Sequence, residues 1–203
     1  MTDTTMPPEA FTIAPQPLDG LDGDALDGYL AGLILAQAAR EDRPLTEALG
    51  LPPGPLAGLV HQLRPDAVQL LDGAVGDTGE DAIEEADLRA FLLEHRAGRG
   101  AVEEWLAAIV ARRSLAPNHL WQDMGFTNRR ELNAFFRRHF PALVALNSGD
   151  MKWKKFFYRQ LCLRVGMLIC KSPNCEVCDD FAACFEAEEG DPLSTLAQMG
   201  RGA

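Results

Sequence analysis

The sequence lacks any sustained alternation of apolar and polar residues, the pattern that marks half-buried β-strands. Apolar residues recur instead at three- and four-residue steps, as at Leu26, Leu30, Leu33 and Ile34. Proline and glycine divide these periodic segments into short pieces. The sequence therefore predicts an all-α fold, a bundle of short helices.

Long apolar runs and leader sequences are also missing. The longest apolar stretch, residues 29–39, is too short to cross a bilayer, and the start, Met1-Thr2-Asp3, has neither a basic nor an apolar leader region. Cysteines are few and clustered, unlike the spread pairs of secreted disulfide proteins. We expect a cytoplasmic protein with no membrane partner.

Three common catalytic motifs are absent: a Gly-rich phosphate loop, a G-x-S-x-G elbow and an H-E-x-x-H helix. No catalytic residue is predicted, and we expect the protein not to be an enzyme.

Positive charge is scarce overall but concentrated in one region. The chain has 19 Lys+Arg against 30 Asp+Glu, a net charge of −11, which makes nucleic acid an improbable partner. Residues 110–171 nevertheless hold twelve basic and three acidic residues, so the rest of the chain carries a net charge of −20. A basic centre of this kind suits docking of an anion or a partner, or it is a solvated face.

Segment 45–65 resembles segment 120–141. Each reads as a short helix, a turn at Gly50 or Gly125, and a second helix that ends before Pro65 or Pro141. The pattern predicts a duplicated helical hairpin, with chance similarity of two amphipathic segments as the alternative.

The second hairpin also resembles a helix-turn-helix. Four of its arginines could contact phosphates: Arg129, Arg130, Arg137 and Arg138. An ordinary αα-hairpin with solvated arginines suits the acidic chain better, and we favour that interpretation.

Four of the five cysteines fall within fifteen residues, in the spacing C-x4-C-x2-C-x5-C. They are Cys170, Cys175, Cys178 and Cys184. Soft thiolates select zinc, copper(I) or iron–sulfur clusters. Structural zinc sites usually join two close pairs across a longer loop, whereas the x4 then x2 spacing is that of the first three ligands of plant-type ferredoxins. The motif predicts a cysteine-rich metal-binding loop at the C-terminal end of the bundle, and it favours an iron–sulfur cluster over zinc.

The segment before this motif predicts a helix over residues 150–165. One face of this helix is predicted to be a buried, largely aromatic stripe: Trp153, Phe156, Phe157, Gln160 and Leu161. Lys152, Lys155 and Arg159 share the roughly opposite face, and Cys162 falls among them. The cations are candidates for docking an anion or a partner. Cys162 is either a further metal ligand with a thiol activated by cations or a small half-buried apolar residue. His119, four residues before an aspartate, is a weaker candidate ligand.

The run DMKWKKFFYRQLC at 150–162, followed by the cysteine motif at 170–184, resembles the NifQ family of nitrogen-fixation proteins. HLWQDMG at 119–125, HFPAL at 139–143 and LRAFLLEHRA at 88–97 are also similar to that family. The resemblance predicts one helical domain over residues 24–185, between a flexible arm at 1–23 and an acidic flexible tail at 186–203.

This resemblance implies a molybdenum-binding iron–sulfur carrier that supplies molybdenum to the iron–molybdenum cofactor of nitrogenase. The implied cofactors are molybdenum and a cluster of the 3Fe-4S or 4Fe-4S type, held by the four clustered cysteines. The implied partners are molybdate or a molybdenum donor and the proteins that assemble the nitrogenase cofactor. The residues alone leave two alternatives: a zinc-stapled helical interaction module, and an iron–sulfur redox or DNA-binding regulator.

Overall fold

The computed structural model describes residues 11–74, 76–79, 83–164 and 166. Across these residues the chain is helical, without strands. The α-helices are α1 (Gly23–Ala38), α2 (Leu45–Leu49), α3 (Pro53–Leu63), α4 (Ile83–Glu94), α5 (Ala101–Ser114), α6 (Leu120–Asp123), α7 (Arg129–His139), α8 (Pro141–Leu146) and α9 (Trp153–Arg164), with a 3₁₀ helix at Pro65–Gly73. The predicted all-α bundle of short helices is confirmed.

Helix α5 lies at the centre of the bundle, against α2, α3, α4 and α6. Every residue from 106 to 113 is buried, including Arg112. The charge of the buried Arg112 guanidinium is balanced by Glu85, to which its Nε donates at 2.8 Å. Its Nη1 donates to the carbonyl oxygens of Glu47 and Thr78, each at 2.6 Å. One side chain thus joins α2, α4 and α5.

The two predicted hairpins have the same turn. Gly50 and Gly125 both adopt left-handed backbone, with φ of 62° and 78°, where glycine avoids the penalty of a Cβ atom. After each glycine a backbone N–H closes the preceding helix, Leu51 to Thr46 at 3.0 Å and Phe126 to Trp121 at 2.8 Å. This is the hydrogen bonding of a glycine-terminated helix. The geometry of the two copies supports a duplicated hairpin.

Each hairpin turn packs on the helix that precedes the other hairpin. A Cβ built at Gly50 would lie 3.1 Å from Cβ of Arg112 on α5, and one at Gly125 would lie 2.5 Å from Cβ of Gln37 on α1. Gln37 and Arg112 are 75 residues apart, the same offset as the two glycines. The two hairpins therefore pack reciprocally, each turn on the helix that precedes the other hairpin.

Residues 11–22 contain no helix, but they lie on the bundle. Their apolar side chains pack against the core, namely Phe11, Ile13, Leu18 and Leu21. The division into an arm at 1–23, a domain at 24–185 and a tail at 186–203 stays a prediction. Among the helices of the described ranges, none has the length and apolar character needed to cross a membrane.

Candidate metal centre

The predicted cluster ligands lie outside the described residues. They are Cys170, Cys175, Cys178 and Cys184. Helix α9 is the last described helix before them, and its final residue, Arg164, precedes Cys170 by six positions. The described part of the site is therefore the helix that leads into the cysteine motif and the surfaces that hold it.

The core face of α9 is aromatic and packs against α7. Trp153, Phe156 and Phe157 are buried, as their spacing predicts. Trp153 stacks on Phe136 of α7 with ring centroids 3.8 Å apart and planes inclined by 22°. Its indole Nε1 donates to Oδ1 of Asn133 at 3.0 Å. Aromatic packing and one hydrogen bond thus fix the start of the helix.

Polar contacts hold the chain that enters α9. Arg129 Nη2 donates to the carbonyl oxygens of Asp150 and Met151 at 2.9 and 3.2 Å. Asn147 and Met151 exchange two hydrogen bonds of 2.8 and 3.0 Å. These bonds connect the N-terminal ends of α7 and α9 through one short loop.

Lys154 carries a further anchor that the sequence reasoning missed. Its Nζ donates to the carbonyl oxygen of Ala116 at 2.6 Å and to the carboxylate of Asp123, which Asn118 also contacts at 3.0 Å. Asp123 is buried. On a helical wheel Lys154 lies beside the aromatic stripe rather than opposite it. That position was the only feature of the sequence that distinguished Lys154 from Lys152 and Lys155.

The end of α9 is fixed on α4. The Arg164 guanidinium lies over the ring of Phe91, 4.6 Å from its centroid, and donates to Oε1 of Glu94 at 3.1 Å. The hydrogen bond with Glu94 raises the pKa of Arg164, and the same bond lowers the pKa of Glu94. The last residue of α9, six positions before the first clustered cysteine, is therefore held by a stacking contact and an ion pair.

Cys162 is 8% exposed and lines a cavity of about 520 Å³ between α9, α4 and the end of α5. Both polar and apolar residues line the cavity beside Cys162: Glu84, Asp87, Leu88, Ala90, Ser114, Leu115, Lys154, Phe157, Tyr158, Leu161 and Arg164. The cations beside this cavity are Lys154 and Arg164, not the predicted docking residues. The role of Cys162 as a metal ligand stays a prediction.

The predicted docking residues do not line this cavity. Lys155 is exposed, and Lys152 and Arg159 are half-buried. The docking role itself stays a prediction.

His119 is exposed and precedes α6, where its backbone N–H donates to Oε1 of Gln122 at 3.1 Å. The carboxylate four residues later, Asp123, is engaged by Lys154. Within the described ranges no group of three or more His, Cys, Asp or Glu side chains is arranged to hold a metal ion. The role of His119 as a metal ligand stays a prediction.

The arginines of the second hairpin separate into two kinds. Arg138 forms a two-pronged pair with Asp27 of α1, with nitrogen–oxygen distances of 2.9 and 2.8 Å, and Arg129 binds the loop before α9. Arg130 and Arg137 are exposed. Two of the four arginines thus hold the fold together, whereas the αα-hairpin interpretation expected all four to be solvated.

The fold and the sequence motif together define a class: an all-α protein whose last described helix leads into a compact four-cysteine motif.

Comparison with known proteins identifies the family within this class. The family model described as NifQ matches residues 29–186. Protein NifQ of Rhodobacter capsulatus is 41% identical over 187 residues, covering 88% of this chain and 96% of that protein. The Protein NifQ homolog of Sinorhizobium fredii is 33% identical over 197 residues, covering 95% and 85%. Protein NifQ of Azotobacter vinelandii is 40% identical over 135 residues, covering 66% and 64%.

The chain belongs to the NifQ family, and membership of this family implies a role in nitrogen fixation. No solved structure matches the chain.

Proposed function

We propose that the protein is a molybdenum-binding iron–sulfur carrier that supplies molybdenum for biosynthesis of the nitrogenase iron–molybdenum cofactor. It acts as a donor and not as an enzyme. The observation that carries this proposal is the extent of the family match, which runs through the whole C-x4-C-x2-C-x5-C motif at 170–184.

The donor set suits this cargo. Four thiolates within fifteen residues are soft ligands, and soft ligands select iron–sulfur species. Cys170, Cys175 and Cys178 have the ferredoxin-like x4 then x2 spacing. Three thiolates suffice for a three-iron cluster, so Cys184 is left to bind molybdenum or to assist its exit.

The scaffold suits a carrier that has to present its cargo to another protein. Helix α9 is held at its start by Phe136 and Asn133 of α7 and at its end by Phe91 and Glu94 of α4. A helix fixed at both ends gives the metal-binding segment a constant starting point. Binding residues placed next to rigid elements are positioned more reproducibly than those on free segments.

The proposal is tested by cysteine variants purified without oxygen from cells supplied with molybdate. Alanine replaces each of the four clustered cysteines in turn. A fifth variant, Cys162→Ala, removes the thiol outside the motif and decides whether that residue is a further ligand. Iron, sulfide, molybdenum and zinc are measured in each protein, together with the visible spectrum.

We expect Cys170→Ala, Cys175→Ala and Cys178→Ala to lose most of their iron and colour, and Cys184→Ala to lose molybdenum first. Cys162→Ala keeps both metals if Cys162 is an apolar core residue, and it loses part of them if Cys162 is a further ligand. Zinc at one atom per chain in the parent and none in the variants would establish the zinc-stapled module instead. Iron without molybdenum, with salt-dependent DNA binding, would establish the regulator.

A further inference from the structure

Helix α9 ends at a glycine whose backbone repeats that of the two hairpin turns. Gly166 has a φ of 68°, in the left-handed region, and its N–H donates to the carbonyl oxygen of Leu163 at 3.3 Å. Gly50 and Gly125 make the equivalent bond to the residue three positions back, at 3.3 and 2.9 Å. The three glycines therefore end their helices in the same way.

An apolar residue follows each of these glycines. Leu51 and Phe126 follow the two hairpin glycines, and they are buried at 2% and 1% exposure. Met167 follows Gly166 in the sequence and lies outside the described residues. In both described cases, then, the apolar residue after the glycine enters the core, and Met167 is its counterpart at the end of α9.

The type of helix end indicates where Met167 makes its contacts. The residue after the glycine commonly packs on the third or fourth residue from the end of the helix. In α9 these two residues are Cys162 and Leu161. Both line the cavity of about 520 Å³ between α9, α4 and the end of α5. The turn at Gly166 thus directs the chain to that cavity.

Apolar side chains form much of the cavity wall, and some of them are exposed. Leu88 and Phe157 are buried there, whereas Leu115 and Tyr158 line it at 45% and 52% exposure. The latter two are among five large apolar side chains that are exposed within the described ranges. A cavity of about 150 Å³ can hold benzene, so this larger one has room for several side chains.

We propose that this cavity binds the segment Met167-Leu168-Ile169, which joins α9 to the first clustered cysteine. We call these three residues the apolar linker. They fill the sequence between Gly166 and Cys170 without a polar residue, and burial of apolar surface is the main favourable term in such docking.

The attachment of the linker selects it over an external occupant. Arg164 lines the cavity and lies two residues before Gly166, so the linker begins at the cavity itself. A segment tethered so closely has an effective concentration on the order of millimolar or above. A free partner or a second copy of the chain has to compete with that concentration.

The consequence for the metal site rests on the proposed function. Cys170 follows Met167 by three residues, and an extended chain spans at most about 3.6 Å per residue, so their Cα atoms lie within about 11 Å of each other. A docked linker limits the positions open to the first thiolate before metal binds, which lowers the entropic cost of closing the site. Met167 is therefore a positioning residue.

Alkylation of Cys162 tests the docking, because a docked Met167 covers this thiol. Iodoacetamide is added to the native full chain for timed intervals, and an isotopically heavy form is added after unfolding. Trypsin then releases Cys162 in the peptide 160–164, which contains no other cysteine. The clustered cysteines therefore do not enter the measurement.

The linker variant is Met167→Ser, and Met167→Leu is its conservative partner. The matched control is Leu163→Ser, which removes an apolar side chain that is 48% exposed and does not line the cavity. We expect Met167→Ser to raise the alkylation rate of Cys162 about tenfold or more, and the other two variants to stay within about twofold of the parent. Circular dichroism checks that all are folded.

Three results would overturn the docking. The first is an equal alkylation rate in the parent and in Met167→Ser. The second is a parent Cys162 that reacts as fast as it does in the urea-unfolded chain, since the cavity would then be open. The third is protection that increases with protein concentration between about 1 and 100 µM, which would assign the cavity to a second copy of the chain.

The alkylation is repeated after a chelator has removed any metal. Protection that persists without metal, and that still depends on Met167, supports the docking. Protection that disappears with the metal, and that Met167→Ser leaves unchanged while metal is bound, would show that the metal site shields Cys162 and would overturn the proposal.

The positioning role has a separate measurement, the rate at which iron is lost to a chelator. We expect Met167→Ser to lose iron about three- to tenfold faster than Leu163→Ser, and Met167→Leu to restore the slow rate. Equal rates of loss in the two serine variants would remove the positioning role.

Metal analysis of the same proteins keeps this proposal distinct from the proposed function. Linker-dependent protection of Cys162 in a chain that holds neither iron nor molybdenum would retain the docking and remove the cargo. Iron and molybdenum in a chain whose Cys162 reacts independently of Met167 would retain the cargo and remove the docking.

Discussion

Trp153 stacks on Phe136, with ring centroids 3.8 Å apart and planes inclined by 22°. The pair joins the second hairpin to the helix that leads into the cysteine motif. Both rings are buried, at 4% and 0% exposure. The orientation of α9 therefore depends on an aromatic contact made at its first residue.

Replacement of Trp153 with alanine tests this dependence. We expect the free energy of unfolding to fall by about 3–5 kcal/mol, because a buried aromatic side chain is lost and leaves a cavity. Urea denaturation at neutral pH measures the change. Tyr158→Ala on the same helix is the control, since Tyr158 is 52% exposed, and its effect should stay below about 1 kcal/mol. Similar losses from the two variants would mean that the stack does not anchor α9.

Lys154→Met tests the second anchor of α9. Lys154 contacts the buried carboxylate of Asp123, and removing the cation leaves that carboxylate without its charged partner. We expect a loss of about 2–4 kcal/mol in unfolding free energy. Lys155→Met, which changes an exposed lysine one position away, should alter stability by less than about 0.5 kcal/mol.

The Asp123→Asn change made together with Lys154→Met should recover part of that loss, because the uncompensated charge is then absent. No recovery in the double variant would contradict the pairing.

Gly125→Ala tests the contact between the second hairpin and α1. A Cβ at this position would lie 2.5 Å from Cβ of Gln37 and 2.7 Å from the carbonyl oxygen of Leu33, in left-handed backbone. Gly98→Ala is the control, because Gly98 has a similar φ of 81° and open space around it. We expect about 1 kcal/mol of destabilisation for the control and about 1–3 kcal/mol more for Gly125→Ala. If thermal unfolding shows equal destabilisation by Gly125→Ala and Gly98→Ala, then α1 does not pack against the turn at Gly125.

The stability of the chain in acid should depend on Asp27. Burial alone would raise the pKa of this carboxyl, but hydrogen bonds with His139 and Arg138 outweigh burial and lower the pKa to about 2. A carboxyl whose pKa is lowered in the folded state stabilises it above the unfolded value near 4, and that contribution is lost as the pH falls to about 2.

The contribution of Asp27 is about 2 kcal/mol at neutral pH. In Asp27→Asn the unfolding free energy should lie below that of the parent from pH 5 upwards, and the two curves should converge between pH 4 and 2. Denaturant titrations across this range measure the gap. A gap that stays constant down to pH 2 would refute the lowered pKa.

Local patterns in the sequence predicted much of the fold. The spacing of Trp153, Phe156 and Phe157 indicated the buried face of α9, and all three are buried. The glycines at 50 and 125 indicated two helix ends, and both adopt left-handed backbone there. Helical periodicity and the conformational freedom of glycine are properties of short segments, so they can be read without the tertiary structure.

The contacts between distant segments were not predicted. Arg138 and Asp27 are 111 positions apart, and Lys154 and Asp123 are 31 positions apart. Nothing in the local sequence distinguishes these cations from solvated ones, so Arg138 was grouped with Arg130 and Arg137 as a residue that could contact phosphate. Pairing of this kind depends on how the two halves of the bundle face each other, which helical periodicity does not contain.

The proposal that this protein carries molybdenum together with an iron–sulfur cluster is tested most directly by one measurement. The full chain is purified without oxygen from molybdate-fed cells, its iron, sulfide, molybdenum and zinc contents are determined, and its visible spectrum is recorded. We predict a brown protein that contains iron, sulfide and molybdenum. A colourless protein that holds zinc alone, and stays colourless after reconstitution with iron and sulfide, would contradict the account and leave the four cysteines as a structural staple.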